Sequence, residues 1–427
     1  MSVVAIIGAQ WGDEGKGKIV DVLAEKADAV IRFSGGDNAG HTVINPRGEF
    51  KLHIVPSGIF YPRTACIIGN GLVINPKVLI EELDSLKARG IDVGNLHISD
   101  RAHLIMPWHL LLDSLEEENR GNSALGTTRK GIGPAFADKT ARRGIRACDL
   151  IKLDNFKSRL SEILTMKNEI LEKVYNQKPL DFDSILKEYD GYASRLIPYI
   201  KDTTAMVNDL LNKGGKVVLE GAQGAMLDPD FGSYPFVTSS SPLAAGACIG
   251  SGISPRQIDR VVGIFKAYTT RVGGGPMPTE LNDATGEYIR QHAHEYGATT
   301  GRARRCGWFD AVVGHYTTQL NGFTSAILTR LDVLDEMDTV KICTAYKEGN
   351  KVIARFPADV NSLDHCEPVY EELPGWKATT SDIRDFKKLP INARKYIRRI
   401  EELIECSFHI ISIGPRRDQS IIIKRII

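Results

Sequence analysis

No Cys-x-x-Cys pair occurs in this 427-residue chain, although it contains seven cysteines. They are scattered (Cys66, Cys148, Cys248, Cys306, Cys343, Cys366, Cys406), which argues against structural zinc, and the odd number argues against a disulfide framework. No apolar run approaches the ~20 residues that a bilayer span requires. The opening apolar run is short and soon meets Asp13 and Glu14, unlike a secretory leader. The net charge is only +1, so no global field draws in nucleic acid or an anionic membrane. No linker rich in Gly, Ser and Pro divides the chain, and no internal repeat stands out. The expectation is a cytoplasmic protein with no nucleic-acid or membrane partner, built as one elaborated domain over residues 1–427. A hydrophobic content of 42% and a charged content of 25% suit a chain that buries a large core.

Short β-branched runs recur along the chain: Val3–Ile7, Ala29–Phe33, Thr64–Ile68, Lys216–Leu219, Val261–Lys266, Ser325–Thr329, Val340–Thr344 and Phe408–Ser412. Each is apolar almost without alternation, as in strands covered on both faces. Helical periods lie between them at Gly17–Lys26, Pro76–Arg89 and Ile391–Glu405. This alternation predicts an α/β fold with a large, mostly parallel central sheet flanked by helices. Residues 150–213 are richer in charge and helical in period (Phe156, Leu160, Ile163, Leu164; Met206, Leu210, Leu211), which predicts a helical subdomain inserted within the domain.

The segment Gly8–Lys18 follows a strand of buried type and precedes a helix, the setting a phosphate loop requires. Glycines let backbone N–H groups turn toward an anion, and the helix N-terminus adds partial positive charge. Lys16 or Lys18 can neutralise phosphate. The spacing from Gly12 to Gly17-Lys18 is that of a Walker loop, yet Ile19 stands where a Mg²⁺-binding hydroxyl is usual. Two acids, Asp13 and Glu14, sit in a loop that binds anions. One of them can hold the metal or take a proton, and Asp13 is the better candidate because Glu14 can point away as a helix-start acid.

A second cluster, Gly35–Thr42, follows the next strand and should face the first loop across the ligand crevice. Asn38 and His41 bring its polar chemistry. Three further segments have the look of ligand loops: Gly126–Pro134 before Arg142-Arg143, Glu220–Gly224 followed by Val237–Ser240, and Gly297–Arg305. Asp332, after the strand Ser325–Thr329, is placed to accept paired hydrogen bonds from a guanine edge. A GTPase switch and a nucleotide kinase are the competing readings, and both fit the missing hydroxyl and the loop acids poorly.

Together these motifs resemble the adenylosuccinate synthetase family over Val3 to about Arg417. The resemblance rests on Gln10–Lys18, Asn38–Thr42, Gly131–Ala135, Glu220–Gly224, Arg271–Pro276 and Gly297–Arg302. It implies a GTP-dependent ligase that joins IMP and L-aspartate through 6-phosphoryl-IMP, with GTP as co-substrate and one Mg²⁺ per subunit. Asp13, Lys16, His41 and Gln223 take the catalytic roles, and Asp13 with the carbonyl of Gly40 takes the metal. GTP falls to Gly12, Asp13, Glu14, Gly15, Lys16, Gly17, Lys18, Gly40, His41, Thr42, Arg304, Arg330, Leu331, Asp332, Ser412, Ile413 and Gly414. IMP falls to Asp13–Lys16, Asn38, Ala39, Gly40, His41, Thr128, Gln223, Thr238 and Arg302, with Arg142 reaching the partner's site in a homodimer. Aspartate falls to the loop Ala298, Thr299, Thr300, Gly301, Arg302, Ala303 and Arg304. Ala303, Arg330, the Arg129-Lys130 pair and Arg416 depart from the usual family pattern.

Overall fold

The computed structural model describes residues 2–297 and 301–426. Its spine is a ten-stranded sheet formed by β1 (Ser2–Gly8), β2 (Ala29–Arg32), β3 (Ala65–Ile68), β4 (Leu96–Ser99), β5 (Ile200–Lys201), β6 (Lys216–Gly224), β7 (Arg260–Lys266), β8 (Ser325–Thr329), β9 (Phe408–Ser412) and β10 (Ser420–Ile422). The spatial order is β10-β9-β8-β7-β1-β6-β2-β3-β4-β5. Every pair in it is parallel except β9 with β10. The fold class is α/β, as the alternation of strands and helices predicts.

Successive side chains of a strand point to opposite faces, and here both faces are buried. Val3, Ala5 and Ile7 join one core with Ile31, Leu219, Phe265 and Leu328. Val4 and Ile6 join another with Val30, Val218, Ile264 and Ile327. Helix α1 (Lys16–Ala24) closes this second core with Ile19, Val20 and Leu23. The unbroken apolar runs therefore reflect burial on both sides.

Strand order reverses around β1. The early strands run outward beyond β6 to β5, and the later ones run from β7 to β10 on the other side. In open parallel sheets, ligands bind outside the strand C-termini at such a switch point. The phosphate loop after β1, the 33–40 loop after β2, the end of β6 and the turn after β8 all open on that edge.

Val340–Thr344 departs from expectation. It lies in the long strand Thr339–Glu348 of a separate small sheet, paired antiparallel with Glu367–Pro374. Buried Val340 and Ile342 alternate there with less buried Lys341, but the next residue, Cys343, is buried too, in a second core with Val312 and Tyr346. Residues 150–213 form helices Leu153–Lys173, Phe182–Leu196 and Thr203–Asn212, with the edge strand β5 between the last two. Phe156, Leu160, Ile163, Leu164 and Tyr189 share a core with Phe50, Leu79 and Trp108. Val207 and Leu211 of the third helix pack instead against the central sheet. No helix among the described residues is long and apolar enough to cross a membrane.

Candidate active site

The phosphate loop turns on left-handed backbone at Gly12 (φ 95°), Asp13 (φ 60°) and Gly15 (φ 84°), the last being the residue that opens α1. Glycine adopts such angles freely, whereas Asp13 does so at a cost, a form of strain that clusters at functional sites. The loop is fastened from behind. The Gln10 side chain donates to the carbonyls of Lys266 and Tyr268, and its Oε1 accepts the Lys266 N–H at 2.9 Å. Thr329 Oγ1 donates to the Glu14 carbonyl at 2.7 Å.

Glu14 does not point away. It is fully buried and accepts the N–H groups of Gln10 (3.1 Å) and Gly12 (2.8 Å) and the Lys16 ammonium (2.7 Å). Burial opposes its ionisation, but the Lys16 charge and these hydrogen bonds hold its carboxyl below the usual range. A helix-start acid gains from the helix dipole while solvated, but this one instead gains from direct donors inside the loop. Lys18 is likewise engaged: its Nζ donates to Ser412 Oγ and to the carbonyls of Gly414 and Gln419, at 2.7–2.8 Å. Burial lowers its ammonium to about 7, with Asp332 and Asp418 opposing. Of the two lysines, Lys16 stays beside the loop's centre and Lys18 joins α1 to the C-terminal strand.

His41 begins the hairpin His41–Asn45/Gly48–Leu52. Its Nδ1 lies 2.5 Å from Glu220 Oε1. An ionised carboxylate only accepts, so Nδ1 carries the hydrogen. Glu220, fully buried in the bulged end of β6, also accepts the Ser57 N–H (2.9 Å) and Ser57 hydroxyl (2.7 Å), with Arg32 3.8 Å away. Burial opposes its ionisation, yet the His41 hydrogen bond and charge, then Arg32 and the Ser57 N–H, hold its carboxyl at about 2. Burial, then Arg32, lowers the His41 imidazole, while the Glu220 hydrogen bond and charge oppose the shift.

The register of β1 against β6 shifts, with Ile6 opposite Glu220 but Gly8 opposite Gly224. The two extra residues on β6 bulge outward and present Gln223. A Cβ on Gly224 would stand 2.2 Å from Gln10 O and Gly12 N, so only glycine lets this strand end meet the phosphate loop. Gln223 Nε2 donates to Asn38 Oδ1 at 3.1 Å. Buried polar atoms normally find partners. Gln223 Oε1, Thr238 Oγ1, Asp332 Oδ1 and both Asp37 oxygens have none, which marks where a polar ligand fits. Burial pushes Asp37 up to about 6.

Arg304, nearly buried, donates from Nε to Asp13 Oδ2 (2.7 Å) and from Nη1 to Glu295 Oε2 (2.5 Å). Glu295 also accepts Lys266 Nζ (2.8 Å) and the Tyr268 hydroxyl (2.5 Å). Burial opposes its charge, while Lys266, Arg304 and Arg330 hold its carboxyl at about 2. Arg302 Nη1 reaches the Gly126 carbonyl at 3.1 Å. Arg330, left-handed at φ 62°, donates to the Ala293 carbonyl at 3.0 Å. Its guanidinium is thereby braced against the end of the helix Ala284–His292.

The fold thus brings together Gly12–Lys18, Asn38–Thr42, Gln223 and Arg304. Asp332, Ser412 and Gly414 gather at Lys18. Leu331 and Ile413 have buried side chains in the sheet core, while Ala303 is exposed. Arg142 is exposed and left-handed (φ 64°) just after the helix Ile132–Thr140. Ala298, Thr299 and Thr300 lie outside the described residues. Glu220 was expected only as part of the Glu220–Gly224 loop, with no role of its own, and Lys266 and Glu295 were not among the expected site residues. Glu220 had a visible signal, an acid closing the apolar run Val217–Leu219. Glu295 had none, because Lys266, Tyr268 and Arg304 meet it only in the fold.

A strained phosphate loop facing a buried imidazole–carboxylate pair, with unpartnered polar atoms on the surrounding loops, defines a nucleotide-dependent α/β enzyme. The family model for adenylosuccinate synthetase matches residues 5–421. The chain is 58% identical over 421 residues to the adenylosuccinate synthetase of Dehalococcoides mccartyi, covering 99% of this chain and 100% of that one. It is 54% identical over 424 residues to that of Moorella thermoacetica, covering 99% of each. The fully ligated adenylosuccinate synthetase from Plasmodium falciparum matches the structure with a TM-score of 0.94 at 39% identity, covering 99% of this chain and 100% of that one. A cyanophage S-2L succinoaminodeoxyadenylate synthetase shares the fold, with a TM-score of 0.60 at 19% identity, over 99% of this chain and 96% of that one. The chain belongs to the adenylosuccinate synthetase family. It is a GTP-dependent ligase that joins IMP and L-aspartate.

Glu220 sets a pH dependence. Its folded pKa is depressed, so its stabilising contribution is complete above its unfolded value, near 4.5, and is lost as pH falls toward about 2. Urea midpoints measured from about pH 6 down to about pH 3 should fall less steeply in Glu220→Gln than in the wild type. Parallel declines would remove Glu220 from this account.

Proposed function

We propose that the ligation runs through 6-phosphoryl-IMP and that Asp13, Lys16, His41 and Gln223 carry it. Asp13 takes the N1 proton of IMP. O6 then attacks the γ-phosphorus of GTP, the bond to the bridging oxygen breaks, and GDP leaves. The aspartate amine attacks C6, and phosphate departs with the former O6. Phosphorylation turns a poor leaving group into a good one. The observation that carries this reading is His41 held on Glu220 beside the phosphate loop. Protonation at Nε2 charges the ring. Glu220 steadies the resulting imidazolium, which donates toward the moving phosphoryl. Lys16 shares its charge between Glu14 and the transferring group.

Guanine is read by Asp332 with Arg330 and Leu331, covered by Ser412–Gly414, and the phosphates lie along Gly12–Lys18 with Gly40, His41 and Thr42. IMP is held by Asn38, Ala39, Thr128, Gln223, Thr238 and Arg302, and L-aspartate by the 298–304 loop. Asp13 and the Gly40 carbonyl would hold one Mg²⁺ per subunit. Their hard oxygen donors suit that ion, and Ile19 is buried in the core with no hydroxyl to offer. Bound Mg²⁺ supplies neutralisation of the phosphate charge. The chain works in the cytoplasm as a homodimer in which Arg142 serves the partner's IMP site.

An omission series tests the reaction. Adenylosuccinate should form only with GTP, Mg²⁺, IMP and aspartate together, and Asp13→Ala and His41→Asn should each lose about a hundred-fold or more in kcat while remaining folded. GTP hydrolysis that ignores IMP and aspartate would point to a switch instead. Mixing Arg142→Leu chains with Asp13→Ala chains should restore part of the lost activity. No recovery, despite confirmed chain exchange, would refute Arg142 acting across the dimer.

A further inference from the structure

We propose that Asp113 and Glu117 are positioning residues that set the 125–131 segment for IMP. The inference rests on the reading that Thr128 contacts IMP. The helix Pro107–Arg120 presents His109, Asp113 and Glu117 on one buried face, four residues apart. Acids are seldom buried unless their charge is met. Here it is met by the segment that crosses the helix. Glu117 Oε1 accepts the Leu125 N–H at 3.0 Å, and Oε2 accepts those of Gly126 (2.9 Å) and Thr127 (3.1 Å). Asp113 Oδ1 accepts the Thr127 hydroxyl (2.9 Å), and Oδ2 accepts the Gly131 N–H (2.8 Å).

Five hydrogen bonds to two carboxylates fix the backbone on both sides of Thr128. Charge-assisted bonds of this kind are about twice as strong as neutral ones. They also select which hydroxyl serves the substrate, since that of Thr127 is spent on Asp113. The same turn offers the Gly126 carbonyl to Arg302 Nη1 at 3.1 Å, so the two acids also set the point where the IMP segment meets the aspartate loop. The helix is anchored in turn. His109 Nδ1 accepts the Met106 N–H (2.9 Å), its Nε2–H donates to Asp138 (2.8 Å), and Lys167 of the helix Leu153–Lys173 donates to the same carboxylate (2.6 Å). The 150–213 region thereby braces the IMP segment at one remove.

The test compares steady-state kinetics of Glu117→Gln, Asp113→Asn, Thr128→Ala and the control Glu116→Gln, all confirmed folded at the assay temperature by circular dichroism. The amide variants keep the side-chain shape and remove charged acceptor oxygens. Glu117→Gln and Asp113→Asn should raise KM for IMP about ten-fold or more. KM for GTP and kcat at saturating IMP should change less than about three-fold, and Glu116→Gln should behave as wild type. If Thr128→Ala raises KM for IMP and the two acid variants do not, the positioning inference fails. An equal rise in KM for GTP, or a loss confined to kcat, would also overturn it. If Thr128→Ala leaves KM for IMP unchanged, the reading of Thr128 itself fails.

Discussion

The buried charge of Glu220 is the constraint that the site is built around. A carboxylate without water destabilises the fold unless donors surround it. Here three residues meet it: His41 on the hairpin, Ser57 after it through both N–H and hydroxyl, and the Arg32 charge at the end of β2. Satisfying the acid therefore docks the hairpin against the sheet and orients the imidazole in the same step. The arrangement recurs around the pocket. Glu14 fills part of the phosphate loop, Glu295 holds Arg304 on Asp13, and Glu82 takes the N–H groups of His53, Ile54 and Val55. Several loops of the site are thus tied to the scaffold by acids that the loops themselves satisfy.

This changes how the phosphate loop works. Its spacing is that of a Walker loop, but its own carboxylate engages two backbone donors and the lysine. Such a loop is poorly suited to hold a triphosphate by cation and dipole alone. It suits a reaction in which charge moves during the step, because Lys16 can exchange Glu14 for a transferring group without leaving its place. Asp13 is in a comparable position. Its carboxylate already meets the Arg304 guanidinium, so that contact has to be exchanged when substrate arrives.

The parallel sheet was legible because strands covered on both faces need unbroken apolar runs, and those runs carry no competing pattern. The phosphate loop and the Asn38–His41 cluster were legible because glycine and polar residues crowd directly after such strands. Val340–Thr344 misled because this strand of the small sheet buries Val340 and Ile342 in one core and Cys343 in another, so its run resembles a strand of the central sheet. Glu14 misled because solvated and buried acids look alike in sequence, and only the fold places Lys16 and two N–H groups on its carboxylate. Lys18 was ambiguous for the same reason, since its partners lie almost 400 residues away at Ser412, Gly414 and Gln419. Asp113 and Glu117 gave no sign because helix acids are common and what distinguishes these two is the backbone that crosses them.

Phosphoryl transfer to O6 at the His41–Glu220 pair is the central claim, and following the oxygen tests it most directly. With IMP labelled at O6 by ¹⁸O, each turnover should place one labelled atom in the inorganic phosphate released. Unlabelled phosphate formed alongside adenylosuccinate would mean that O6 never accepts the phosphoryl group, and would contradict the account.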